Sequence, residues 1–220
     1  MEKTMKVYFG MFDKFPVKKK VEMIRMLNII FQEQYRISIK NDALVNQYVF
    51  WMEDEKEQVI SIAALELNIS LGMLLDPYVD TTDINVDADD NKVVSAVDMV
   101  LRFFDESREV KEREKQTEET YNERIAFINC VGTHENHRRK GYSFFILTKM
   151  LTFLSGIFRK HKQVSKIFLE CASENQSSYG LYKKLNFTPV SSRMSKTIPY
   201  VLMAKKNNEE MLQEMKSINQ

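Results

Sequence analysis

A β-type run that empties into a basic, glycine-containing loop constrains this chain more than any other stretch. ArgIleAlaPheIleAsnCysVal at 124–131 reads as a strand, HisArgArgLysGlyTyrSerPhe follows at 137–144, and apolar periodicity from Gly141 to about 160 predicts a long helix. LysIlePheLeuGluCys at 166–171 is the next strand. The loop has its own physics. Gly141 has no β-carbon to hold a ligand away, Ser143 is small, and the NH groups that start the following helix can converge on one anion. Arg138, Arg139 and Lys140 add local positive charge. Taken alone, such a loop is more often a turn with solvated charges.

The rest of the chain supplies more strands and three further helices. Residues 5–9 form a short strand, and Val17, Val21, Ile24, Asn28 and Phe31 recur at helical spacing, which predicts a helix over about 17–35. GlnTyrValPheTrpMet at 47–52 and GlnValIleSerIleAlaAlaLeuGluLeu at 58–67, with a polar stretch joining them, predict a hairpin. Residues 76–90 then hold six aspartates and no lysine or arginine, and an amphipathic helix with a charged tail follows from Val93 to about 120. This block, about 68–122, reads as an insertion. A helix over about 175–185 and strands near 187–192 and 199–205 complete a domain spanning 1–206, with a polar tail at 207–220.

Bulk composition narrows the function classes. Among 220 residues, 32 basic side chains face 31 acidic ones, so a general polyanion-binding surface is disfavoured, no nucleic-acid partner is expected, and any phosphate recognition should be local. The N-terminus lacks the pattern of a secretory signal and no apolar run approaches membrane-spanning length, so a soluble, cytoplasmic protein with no membrane partner is expected. Cys130 and Cys171 each sit inside an apolar run, as reduced buried thiols do. The spacing Asp83, Asn85, Asp87, Asp89 suggests a calcium loop, but Ala88 stands where the turn glycine belongs and Val94 where the closing glutamate belongs. His134, His137 and His161 lack metal-ligand spacing, and no metal is expected.

A second motif follows the loop. AsnGlnSerSerTyrGlyLeuTyrLysLysLeuAsnPhe at 175–187, placed one helix and one strand downstream, completes an order that resembles the GCN5-related N-acetyltransferase (GNAT) superfamily. That family's loop reads Gln or Arg, two residues, Gly, one residue, Gly or Ala, and Arg138, Gly141 and Ser143 occupy those positions. Its second motif reads Asn, two residues, Ala, two residues, LeuTyr, three residues, GlyPhe, matched by Asn175, Ser178, Leu181, Tyr182, Asn186 and Phe187. Asn186 stands where a helix-terminating glycine is usual, and asparagine tolerates the left-handed conformation that such a cap needs. The resemblance covers 124–205 and extends to the hairpin at 47–67. It implies an α/β fold (α+β in some schemes): a single domain with a mixed central sheet of about six to seven strands, flanking helices and the helical insertion.

The resemblance also implies chemistry. Family members bind acetyl-CoA, pairing its pantetheine with a strand edge that here would be Val131, Gly132 and Thr133, and laying its pyrophosphate over Arg138, Arg139, Lys140, Gly141, Tyr142 and Ser143. Asn175 would hydrogen-bond the pantetheine amides, although as a helix N-cap it needs no ligand to explain it. Tyr182 occupies the position of the family's general acid, since a phenol holds its proton at neutral pH and can deliver it to a departing thiolate; the other reading is an aromatic on a core face. Glu170 lies in an otherwise apolar strand, twelve residues before Tyr182, and LeuGluCysAlaSerGluAsn resembles the protein N-terminal acetyltransferase subgroup, including enzymes acting on ribosomal-protein alanine, where that glutamate is the general base. A strand-edge carboxylate facing solvent is the competing reading.

The implied function is acetyl-CoA-dependent N-acetyl transfer by direct attack of a primary amine, the acceptor being a protein N-terminus, a lysine or a small amine. The alternative is a non-catalytic acyl-CoA-binding module on the same fold. The acidic stretch 76–90 is either a solvated loop or a selector of cationic acceptors.

Overall fold

A computed structural model describes residues 6–35, 39–40, 43–70, 74, 85–86, 93–94, 124–161, 164–195 and 198–207. Nine strands are present among them: β1 (Lys6–Met11), β2 (Tyr48–Glu53), β3 (Val59–Ser70), β4 (Asn85–Val86), β5 (Val93–Val94), β6 (Arg124–Thr133), β7 (Lys166–Ala172), β8 (Thr188–Ser195) and β9 (Ile198–Lys206). The helices are α1 (Val17–Tyr35), α2 (Tyr142–His161) and α3 (Gln176–Lys184). Seven strands make one mixed sheet in the order β1-β2-β3-β6-β7-β9-β8, and β4 pairs with β5 in a separate two-residue ribbon. The helix expected from Val93 does not begin there, because Val93 and Val94 extend and pair with Val86 and Asn85 as β5; the rest of that expected helix, most of the acidic stretch and the tail after 207 fall outside the described residues.

By internal contacts the chain divides into two compact units, the first holding the described residues up to 67 and from 128 to 161, the second those from 68 to 127 and from 164 to 207. In the first unit β2 pairs antiparallel with both β1 and β3. Val49, Phe50, Trp51 and Met52 are all buried, as in a strand covered on both faces. β1 pairs along its whole length from Lys6↔Glu53 to Met11↔Tyr48, and directly opposed aromatics stack: Tyr8 on Trp51 at 5.3 Å and Phe9 on Phe50 at 5.4 Å. The β2–β3 turn is tied by Asp54, whose Oδ1 accepts from the NH groups of Lys56 (2.9 Å) and Gln58 (3.0 Å) while Glu57 adopts φ 59°.

α1 has the expected bounds, and part of the expected stripe is buried: Ile24 lies in the core and half-buried Phe31 packs against it. Val17 and Val21 are 75% and 61% exposed, whereas Met23, Ile24, Met26, Leu27 and Ile30 enter the core with Phe12, Leu44, Val49, Trp51 and Ile62. Two apolar stripes compete on this helix, and the one carrying methionine, leucine and isoleucine removes more area from water. Asn28 joins neither stripe: its side chain pairs with both backbone groups of Ile39, at 3.0 and 2.6 Å. α2 buries Ile146, Leu147, Met150, Leu151 and Leu154, a single stripe at helical spacing.

In the second unit β9 lies antiparallel to β7 and β8, in register from Lys166↔Lys206 to Ala172↔Tyr200 on the β7 side. Its core gathers Ile125, Phe168, Val190, Leu202 and Ala204. Asn207 closes the sheet's end, donating from its backbone to Ser165 O (2.6 Å) and from its side chain to Val164 O (2.7 Å).

Candidate functional site

The basic loop begins where β6 ends. His134 NH donates to Ile60 O (2.9 Å), a 3-10 turn over Glu135–His137 follows, and the chain enters α2 through two left-handed residues, Arg139 (φ 60°) and Gly141 (φ 81°). A β-carbon at Gly141 would meet nothing within 4 Å. The left-handed backbone favours glycine at this position, and the space where a β-carbon would stand is open. Arg139 carries a β-carbon in the same region at a cost of about 1–2 kcal/mol, the kind of strain that the surrounding structure must hold in place. The first intrahelical bond of α2 is Phe145 NH to Gly141 O (2.9 Å), so the NH groups of Tyr142, Ser143 and Phe144 precede it at the positive end of the helix dipole.

Two of the three basic side chains fold back on the loop. Arg138 Nε donates to Thr133 O (3.3 Å) and Lys140 Nζ donates to Asn136 O (3.1 Å), while all three cationic residues stay exposed. His134 and His137 lie with ring centroids 6.0 Å apart, and His137 lies 6.3 Å from Tyr142. Partial burial, reinforced by the positive charges of Lys140 and His134 and opposed by Asp54, holds His137 below its ordinary pKa.

The expected strand edge is less open than the sequence implied. Val131 is half-buried, but Gly132 and Thr133 are buried. A β-carbon on Gly132 would sit 2.8 Å from Ile30 Cδ1, so this glycine lets α1 approach β6. Gly132 O accepts from Ser61 Oγ (3.2 Å), and Ser61 Oγ lies 2.8 Å from Thr133 Oγ1, which lies 2.6 Å from Ser143 Oγ. Ser61 was passed over in the sequence; the signal was a serine inside the apolar run ValIleSerIleAlaAla, where a buried hydroxyl requires partners.

In the second unit Glu170 is clamped by a residue that sequence reasoning missed. Arg193 donates from Nε to Oε1 (2.8 Å) and from Nη2 to Oε2 (2.7 Å), with 18% of the Glu170 side chain and 23% of the Arg193 side chain exposed. Neither a buried orphan nor a fully solvated edge residue, this carboxylate has a fork-shaped partner. The Arg193 guanidinium also lies 5.6 Å from the ring centroid of Tyr200, whose phenol is pushed up by burial and by the Glu170 charge, against the opposing effect of Arg193.

Asn175 is the N-cap of α3, its side-chain oxygen accepting from Ser178 NH at 3.1 Å. At the other end Asn186 takes φ 62°, as expected for the glycine replacement, and Phe187 NH reaches Tyr182 O (3.0 Å) while Asn186 NH reaches Lys183 O (3.0 Å). These two bonds form a Schellman cap, and the apolar contact that accompanies such a cap is the Tyr182–Phe187 ring pair at 6.2 Å. Tyr182 is 6% exposed. Its place in the motif thus has a structural cause independent of any ligand.

Both cysteines are free, and desolvation pushes Cys130 up to about 12 and Cys171 up to about 11. Cys130 is half-buried and packs against the core cluster of the first unit. Neither thiol is poised as a nucleophile. Among the described residues no group of three or more His, Cys, Asp or Glu side chains converges as metal ligands would, and no helix is long and apolar enough to cross a membrane.

A mixed sheet here carries a basic loop that opens a helix, and the free NH groups at a helix N-terminus favour negative charge. The sequence model of the Acetyltransferase (GNAT) family matches residues 77–187, just over half of the chain, and the chain belongs to that family. The matched span takes in much of the block at 68–122 that the sequence reading set apart. No curated protein matches the sequence. Among solved structures, NAA60 of Arabidopsis thaliana in complex with a bisubstrate analogue is similar, with a TM-score of 0.56, 10% identity, and 91% of this chain and 99% of that chain covered. The ribosomal-protein-S18-alanine N-acetyltransferase of Escherichia coli gives a TM-score of 0.53 at 10% identity, covering 92% and 95%. A putative acetyltransferase of Salmonella typhimurium, yncA, with its cofactor acetyl-CoA, gives 0.51 at 11% identity, covering 94% and 96%. At these identities the likenesses establish the fold alone.

Proposed function

We propose that this protein transfers an acetyl group from acetyl-CoA to a primary amine. The observation that carries the reading is the open space at left-handed Gly141, at the start of α2 and in the loop that carries Arg138, Arg139 and Lys140. A pyrophosphate fits that chemistry: its oxygens need several donors, the leading NH groups of α2 offer some, and the exposed basic side chains of the loop add positive charge. Val131, Gly132, Thr133, Tyr142, Ser143 and Asn175 complete the proposed coenzyme-binding set. The amine attacks the thioester carbonyl, and the coenzyme leaves as a thiolate. Glu170 is the proposed base, taking a proton from the ammonium directly or through water, and Tyr182 the proposed acid that protonates the thiolate. The Arg193 fork fixes the orientation of that carboxylate and engages both of its oxygens, so a proton would be taken by a remaining lone pair.

Among acceptors, a protein N-terminus is the first to test. The LeuGluCys segment resembles that subgroup, and two of the similar solved structures are NAA60 with a bisubstrate analogue and a ribosomal-protein alanine acetyltransferase. A panel of peptides with free α-amines, lysine peptides and small amines, assayed for thiol release from acetyl-CoA, tests the proposal. Glu170→Gln and Tyr182→Phe should each cut turnover by about 100-fold or more while sparing acetyl-CoA binding. Unchanged turnover in both variants would overturn the residue roles. Acetyl-CoA binding without thiol release for any amine would replace the transferase by a binding module.

A further inference from the structure

Ser143 does more than leave room for a ligand. Its hydroxyl is the outer end of a chain that runs inward through Thr133 Oγ1 at 2.6 Å to Ser61 Oγ at 2.8 Å, with Ser61 fully buried and Thr133 9% exposed. Ser143 itself is half-buried, in the first turn of α2, two residues after the open position at Gly141.

Each hydroxyl owns one proton, so the chain has two consistent orientations. In the inward one Ser61 donates to Gly132 O, Thr133 donates to Ser61, and Ser143 donates to Thr133, which leaves Ser143 only lone pairs for an outside group. In the outward one Ser61 donates to Thr133, Thr133 donates to Ser143, and the Ser143 proton is released toward whatever sits at the loop. The outward orientation gives up only the contact to Gly132 O, which at 3.2 Å is the longest of the three. An anion at the loop repels lone pairs and attracts a proton, so its arrival selects the outward orientation. Donation along the chain then polarises the terminal hydroxyl and strengthens its bond to the anion.

We propose that Ser61, Thr133 and Ser143 form a hydroxyl relay in which Ser143 donates to a pyrophosphate oxygen of coenzyme A and the two buried hydroxyls set its orientation. The inference rests on the proposed coenzyme site and adds a side-chain ligand to it, with Thr133 and Ser61 as positioning residues. It also accounts for a hydroxyl at a position where glycine or alanine would satisfy the size requirement.

Isothermal titration of the full chain with acetyl-CoA, dephospho-CoA and acetyl-pantetheine tests the relay, because the first two carry the pyrophosphate and the third does not. Ser143→Ala should weaken acetyl-CoA and dephospho-CoA by roughly tenfold, as expected for losing a partly exposed hydrogen bond to a charged group, and leave acetyl-pantetheine unchanged. Ser143→Cys, nearly the same size but a weak donor, should move in the same direction and guards against a folding defect in the alanine variant. Thr133→Val should weaken the two pyrophosphate ligands about fivefold, but cause no further loss when added to Ser143→Ala. Equal losses with acetyl-pantetheine, or Ser143→Ala and Ser143→Cys both within twofold of wild type for acetyl-CoA, would overturn the relay and leave the coenzyme site standing. Failure of the unmodified protein to bind acetyl-CoA would overturn both.

Discussion

Removing the arginine of the Glu170–Arg193 pair should be among the most damaging single changes available in the second unit. The pair makes two short charge-assisted bonds, at 2.8 and 2.7 Å, with about four-fifths of each side chain shielded (18% and 23% exposed). Arg193→Met keeps most of the stem's packing and removes the charge. Glu170 would then remain in β7 among Phe168, Leu169 and Cys171, all buried, without its fork-shaped partner. Breaking a fully buried pair costs about 3–5 kcal/mol, and an exposed pair is worth about 0–1. With this degree of shielding the expected cost is about 2–3 kcal/mol, a fall in melting temperature of roughly 5–10 °C for a chain of this size. Adding Glu170→Leu should return most of that loss, since no charge is then stranded, giving a coupling of about 2 kcal/mol in a double-mutant cycle. Urea unfolding at pH 7, followed by far-ultraviolet circular dichroism, measures all four corners. A cost below about 0.5 kcal/mol for Arg193→Met would refute the reasoning, because the pair would then be behaving as a surface ion pair.

Gly132→Ala should destabilise by about 1–2 kcal/mol, because its β-carbon would lie 2.8 Å from Ile30 Cδ1; adding Ile30→Val removes that methyl and should recover about half in urea unfolding, whereas no recovery would locate the conflict elsewhere. Cys130 and Cys171, with thiols pushed up to about 12 and about 11, should resist iodoacetamide at pH 8 in the native protein and react only after denaturation; rapid stoichiometric labelling, read by intact mass, would contradict their desolvation. His137 binds its proton less tightly in the folded than in the unfolded chain. The unfolded state therefore takes up more protons as pH falls below the ordinary value of 6.5, so the contribution of His137 to stability is complete above 6.5 and is lost on acidification. His137→Asn should flatten the pH dependence of the urea midpoint below 6.5, and an unaltered slope would remove His137 as its source.

Local patterns were legible wherever one signal dominated. The bounds of α1, α2 and α3 followed from helical spacing, the cap of α3 from Asn186, and the hairpin from two β-rich runs joined by a polar turn. The buried face of α1 was only partly legible: Ile24 and Phe31 of the expected stripe meet the core, but Val17 and Val21 do not, because apolar residues lie on more than one side of the helix and periodicity alone does not choose between them. Arg193 was invisible for a different reason. Glu170 announced that it needed a partner, but that partner comes from β8, 23 residues away, and its reach is set by how β8 and β7 flank β9. Ser61 escaped notice because a serine in an apolar strand acquires meaning only when a backbone carbonyl and a hydroxyl 71 and 72 positions later in the chain close on it, as Gly132 O and Thr133 Oγ1 do.

By itself the sequence determined the family, the α/β alternation, the basic glycine loop and the requirement for a left-handed residue at 186, since each depends on residues near one another along the chain. Tertiary structure decided which of the expected site residues are already engaged. It turned Gly132 toward Ile30, tied Arg138 to Thr133 O, joined Ser143 through Thr133 to Ser61, and clamped Glu170 with Arg193. These are contacts across strands and helices, and their existence depends on register and packing distances of a few ångströms that no local pattern encodes.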